Sequence, residues 1–192
     1  MNIREIKRTM LDKGIPKEIM EQFVFPESEE ETPEEKITFA AQMDNLLSKE
    51  QILSVMEEQG CEKYLHDSAV GLMEKLSGKP IEERIEILNS TKMNEQPRSR
   101  LNDDGTLNIF WWYKDDGGKF ICVCPIMNKL LRPATVSLTY CGCCGGHVKY
   151  HFQNFLGVKL RLLETVSSPI NSNGEKYCEH RFEIIYSGEE QK

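Results

Sequence analysis

Tyr140-Cys-Gly-Cys-Cys-Gly-Gly-His-Val-Lys-Tyr-His-Phe-Gln-Asn-Phe-Leu156, closed by Gly157 and followed by Val158-Lys-Leu-Arg-Leu-Leu-Glu-Thr-Val166, decides the fold. Tyr140, Cys144, Val148, Phe152, Phe155 and Leu156 recur at the spacing of an amphipathic helix. Gly157 stands where glycine is favoured just past a helix end. Val158 to Val166 and Tyr177 to Tyr186 read as a strand pair around the turn Asn171-Ser-Asn-Gly174.

Upstream, Thr106 to Tyr113 is rich in β-branched, aromatic and aliphatic residues, and Asp115-Asp-Gly-Gly118 is a turn signal. Lys119 to Cys124 then reads as the returning strand of a hairpin ending in Cys122-Val-Cys124-Pro. The first hundred residues are different in kind. Ile3, Ile6, Met10 and Leu11 mark a helix over 2–12 that ends at Gly14, and Pro16 opens a short helix running to about Phe23. Phe25 to Pro33 is acidic and bracketed by prolines, the pattern of a surface linker. Apolar residues from Ile37 to Met56 fit one long helix or two, with Ser48 as N-cap of the second. Helical patterns continue over 61–76 and 80–92, separated by Gly78-Lys-Pro80. Helices, two strands, a helix and two strands predict an α+β fold. Its helical N-terminal half (1–103) packs with a mainly antiparallel four-stranded sheet and one helix in a cysteine-rich region (104–187).

The chain has 192 residues and a formal charge of −7. Its composition is that of a globular protein, so a core can form. Residues 1–104 carry a net −9 and residues 105–192 a net +2. Neither half has the basic stripe of a nucleic-acid binder. No stretch is apolar enough to span a bilayer and the start lacks a secretory pattern, so the expected setting is cytoplasmic, with no membrane partner.

Seven cysteines without an export signal argue for metal binding or thiol chemistry rather than disulfides. In a strand, Cys122 and Cys124 point to one face and Val123 to the other; the alternative for each is a small buried hydrophobe. Three thiols within Cys141-Gly-Cys143-Cys144 are rarely explained by packing. Soft thiolates with imidazole suit zinc, an iron–sulfur cluster or copper. A second reading needs no metal: thiols near a helix N-terminus lose pKa and become nucleophilic. Cys61 reads as an ordinary thiol. Trp111 and Trp112 place aromatics on both faces of a strand, so they line the core or, with His147, a ligand pocket.

Tyr140-Cys141, the helix closed by Gly157, Val158 to Glu164, Asn173-Gly174 to Cys178 and Phe182-Glu-Ile184 together resemble the C-terminal part of the 4-vinyl reductase-like domain superfamily. That group includes zinc-containing ligand-sensing domains and, more remotely, amino-thiazoline-carboxylate hydrolases. The resemblance covers less than half of the chain. It implies zinc held by Cys141, by Glu164 and by Cys178 or His180, with Ser167 where a third ligand would stand. Cys143 or Cys144 is able to replace that ligand.

Two functions follow from these readings. The first is a zinc-dependent domain that binds or senses a small organic ligand, its metal ligands drawn from Cys122, Cys124, Cys141, Cys143, Cys144, Glu164 and Cys178. It is expected to pair as a homodimer through the N-terminal helices. The alternative is a thiol- or metal-dependent hydrolase of a small C–N or C–S substrate, or an iron–sulfur redox protein. No phosphate-binding Gly-x-x-x-x-Gly-Lys-Ser/Thr run is present.

Overall fold

The computed structural model describes residues 1–28, 30–61, 63–65, 67–90, 98–130 and 136–185. The predicted element ends at Thr91, Lys92 and Tyr186 lie outside them. Among the described residues, the helices α1 (Ile3–Asp12), α2 (Lys17–Met20), α3 (Pro33–Leu46), α4 (Lys49–Met56), α5 (Asp67–Leu76) and α6 (Ile81–Ser90) come first. Then follow β1 (Arg98–Leu101), β2 (Leu107–Trp111), α7 (Leu138–Leu156), β3 (Lys159–Ser167) and β4 (Cys178–Ile185). The fold is α+β, with a four-stranded antiparallel sheet ordered β1-β2-β4-β3.

Local chemistry accounts for the helix boundaries. Thr32 and Glu35 form a capping box around α3, with Pro33 in its first turn, and Ser48 and Gln51 do the same for α4. The helical run from Ile37 to Met56 is therefore two helices, divided at Ser48 as its capping chemistry predicts. The acidic segment before Pro33 is more than a solvated linker. The Glu31 carboxylate accepts from the backbone N–H of Ile3 at 2.7 Å and is paired with Lys36 at 3.4 Å, so it satisfies orphan donors at the start of α1.

The predicted first hairpin is corrected. β2 forms where expected, but it pairs with β1 on one side and β4 on the other. The turn at 115–118 does reverse the chain, with the Asp115 N–H donating to the Lys119 carbonyl at 2.9 Å and the Ile121 N–H to the Tyr113 carbonyl at 3.0 Å. Lys119 to Cys124 nevertheless extends no further as a strand than the bridge between Lys114 and Phe120. The strand that pairs with β2 on its upstream side, β1, reads Arg-Ser-Arg-Leu and is too polar to show a strand period. It also falls on the helical side of the predicted division at 103. β1 is an edge strand, where polar residues are tolerated.

Among the described residues, three clusters of buried side chains make up the core. One lies between the sheet and α7, around Leu107, Ile109, Leu162 and Phe182. A second fills the N-terminal helices, around Ile6, Met10, Phe39 and Met43. The third holds Ala40, Met127, Val136, Tyr140 and Ile170. Helix α7 touches all three and packs against α3, α4, α5, α6 and β3. The N-terminal helices are thus a layer laid on α7. Among the described residues, no helix is long and apolar enough to cross a membrane.

Candidate functional site: a thiol and imidazole cluster between α7 and β4

The first turns of α7 send one thiol into each cluster. Cys141 is buried in the third, Cys143 in the second, and Cys144 packs on the first. Successive helical residues diverge by about 100°, so Cys141 and Cys144, three apart, share the side toward the sheet while Cys143 turns toward the N-terminal helices.

The glycines between them answer to packing. A Cβ on Gly142 would lie 2.8 Å from Met56 Cβ, and one on Gly146 only 2.1 Å from the Gln59 carbonyl oxygen. These two positions, one turn apart, let α7 rest on the end of α4. Gly145 has a different neighbour: its Cβ would lie 3.1 Å from His180 Nδ1.

His180 belongs to the inward row of β4, Cys178, His180, Phe182 and Ile184, where alternation would otherwise place an apolar residue. It is 0 % exposed. Its Nε2 lies 3.6 Å from the Cys178 Sγ, and its Nδ1 has no hydrogen-bond partner among the described residues. Trp111 meets the imidazole edge-on, with centroids 6.4 Å apart. Burial lowers the His180 pKa to about 3, so the ring is neutral across the physiological range.

The thiols share that environment. Burial, opposed by the Ser168 hydroxyl, pushes Cys141 up to about 12. Burial and then the Cys178 thiol raise Cys144 well above the usual range, and burial and then Cys141 do the same for Cys178. Desolvation is the largest cause for all three. A thiol kept protonated is a poor nucleophile, so these three do not have the electronic character of attacking thiolates.

Cys122 and Cys124 join the same neighbourhood without being in a strand. Cys122 is buried and Cys124 partly buried in the third cluster, with Cys124 Sγ 4.0 Å from the Tyr140 hydroxyl, while Val123 packs on the first. The predicted division between thiols on one side and valine on the other holds in an irregular segment.

Other predicted site residues lie elsewhere. Glu164 is exposed and lines a cleft of about 370 Å³ with Leu47, Ile52, Leu53, Met56 and Gly142, apart from the thiols. Ser167 donates to the Tyr177 carbonyl oxygen at 2.7 Å. The ligand set implied by the family resemblance is therefore not assembled as a whole: Cys141 and Cys178 fall in the buried neighbourhood and Glu164 does not. Trp111 is core and Trp112 is 51 % exposed beside Phe110 on the outer face of the sheet. His147 stacks on Trp111 at 6.5 Å and approaches Cys61, whose Sγ is 4.0 Å from Nδ1.

Among the described residues, no group of three or more Cys, His, Asp or Glu side chains already stands in position to hold a metal ion, and the cysteines there are free thiols. The 3.6 Å between Cys178 Sγ and His180 Nε2 nevertheless matches the roughly 3.6 Å that separates a sulfur and a nitrogen on one tetrahedral zinc. The sequence signal for His180 is the period of two through Cys178, His180, Phe182 and Ile184, which places it inward.

No family model and no curated protein matches the chain. Among solved structures, an H-NOX protein from S. oneidensis in the Fe(II)NO ligation state is similar at 13 % identity. That match covers 95 % of this chain and 90 % of the other, with a TM-score of 0.31, and carries no inference about fold or ligand.

Proposed function

We propose that the chain is a zinc-binding domain for a small organic ligand, with its ion taken up by the buried thiols and imidazole between α7 and β4. The observation that carries this reading is His180. It is wholly buried, one ring nitrogen has no partner among the described residues, and the other is 3.6 Å from the Cys178 sulfur. Nε2, the nitrogen that faces the Cys178 sulfur, is the one placed to take the ion, while Nδ1 lies toward Gly145 on the α7 side. Cys178 and His180 supply a sulfur and a nitrogen from one strand, and Cys141 and Cys144 supply two sulfurs from the facing side of α7. Cys122 and Cys124 stand beside them. Entry of the ion requires these side chains to rotate together and the coordinating thiols to lose their protons to solvent.

Thiolate and imidazole favour zinc over magnesium or calcium. An ion held by four protein ligands is structural and keeps no open position for a reacting water. It ties the three clusters together at α7 and stiffens the helix turn that floors the cleft beside Gly142. That cleft is walled by Leu47, Ile52, Leu53, Met56 and Leu138 and rimmed by Asp44, Lys49, Thr139, Glu164 and Thr165. An apolar wall with few polar groups suits a small apolar ligand with a polar end.

The test is a count of thiols that react with an aromatic disulfide reagent in anaerobically purified, folded protein, before and after chelation. The reading predicts several thiols masked before chelation, released together with zinc. Equal counts with no zinc released would overturn it.

A further inference from the structure

A second group of ligand-type side chains lies on the outer side of α7, separate from the buried thiols. Cys61 follows Gly60 after the end of α4, and its Sγ is 4.0 Å from His147 Nδ1. The approach is built into the backbone. Gly60 has φ +155°, and a Cβ there would lie 3.1 Å from the Cα and 3.2 Å from the nitrogen of His147, so this turn is pressed directly onto the helix. His151 is one turn further along α7, its ring centroid 4.7 Å from that of His147. Two histidines four apart on one helix face is a spacing that zinc-binding helices use. Trp111 stacks on His147 and Phe155 on His151, with centroids 6.5 and 6.3 Å apart. Cys61 is exposed and the two histidines are half-buried, so the group is open to an ion in solution.

We infer that Cys61, His147 and His151 form a surface site for a divalent transition cation, with zinc as the ion that suits one thiolate and two imidazoles. The Cys61–His147 separation is a few tenths of an ångström wider than two ligands of one tetrahedral zinc require. Binding draws that pair together and brings the His151 ring across to complete the set. The Cys61 proton leaves to solvent as the ion enters. Three protein ligands leave a fourth position for water, so the ion is not closed in as it is at a four-ligand structural site. The site joins the helical half to α7 and does not depend on the buried cluster. Trp111 touches a histidine of each, His147 and His180.

The experiment is equilibrium dialysis of the full chain against zinc chloride, comparing wild type with Cys61→Ser, His151→Gln and Cys178→Ser, with folding of each followed by circular dichroism. Cys61→Ser and His151→Gln are each expected to bind about one zinc fewer than wild type and to melt like it without metal. Zinc binding by both variants equal to wild type would overturn the surface site. Cys178→Ser separates the two readings: loss there alone removes this inference and leaves the buried site standing. Loss in Cys61→Ser and His151→Gln alone does the reverse. If Cys178→Ser does not fold, His180→Gln takes its place.

Discussion

Gly146 rests on the backbone of Gln59: a Cβ there would come within 2.1 Å of the carbonyl oxygen. The neighbour is backbone and cannot rotate away, so Gly146→Ala must push α7 off α4. Overpacking of this kind costs about 1–3 kcal/mol or more, which exceeds the ~1 kcal/mol that alanine gains over glycine inside a helix. Gly71, inside α5 with nothing within 4 Å of its would-be Cβ, is the control. Chemical denaturation should show Gly146→Ala destabilised and Gly71→Ala unchanged or stabilised.

Glu31 joins the acidic segment to the start of α1. Glu31→Gln keeps the shape of the acceptor and removes its charge, while Glu31→Ala leaves the N–H groups of Ile3 and Arg4 without it. We expect a loss of about 0.5 kcal/mol for the first and about 1–2 kcal/mol for the second, measured by urea unfolding.

How much of this was legible in the sequence differs by element. The αL glycine at 157, the Ser48 cap and the strand pair β3–β4 rest on local chemistry, and the structure has all three. β1 was not legible because the pairing that makes Arg98–Leu101 a strand is tertiary. The run Cys141 to His147 was legible as unusual, but its two causes were not separable. Gly142 and Gly146 serve helix packing and only the thiols concern the site, and that division depends on where Met56 and Gln59 lie. Cys61 looked ordinary because nothing in the sequence says that Gly60 abuts His147.

In metal-free protein, His180 makes stability depend on acid. Its folded pKa is held down at about 3, against about 6.5 in the unfolded chain. Between those values the unfolded chain binds the extra proton, so stability falls as pH drops below about 6.5 and this contribution is flat above it. Melting temperature followed from pH 7.5 to pH 5 should fall in wild type and fall less in His180→Gln.

Cys141→Ser should lower metal content and melting temperature together, since formation of a metal site contributes to folding free energy. Adding a chelator to wild type should shift the melt in the same direction. A variant that melts lower yet keeps full zinc would remove Cys141 from the ligand set.

The most direct measurement is elemental analysis of the Cys61→Ser chain, purified anaerobically without added metal, because that substitution leaves the buried thiols as the route to tight binding. We predict about one zinc per chain, retained through dialysis, as expected of a closed structural site. A chain that folds and carries no zinc, or that carries iron in its place, would contradict the account.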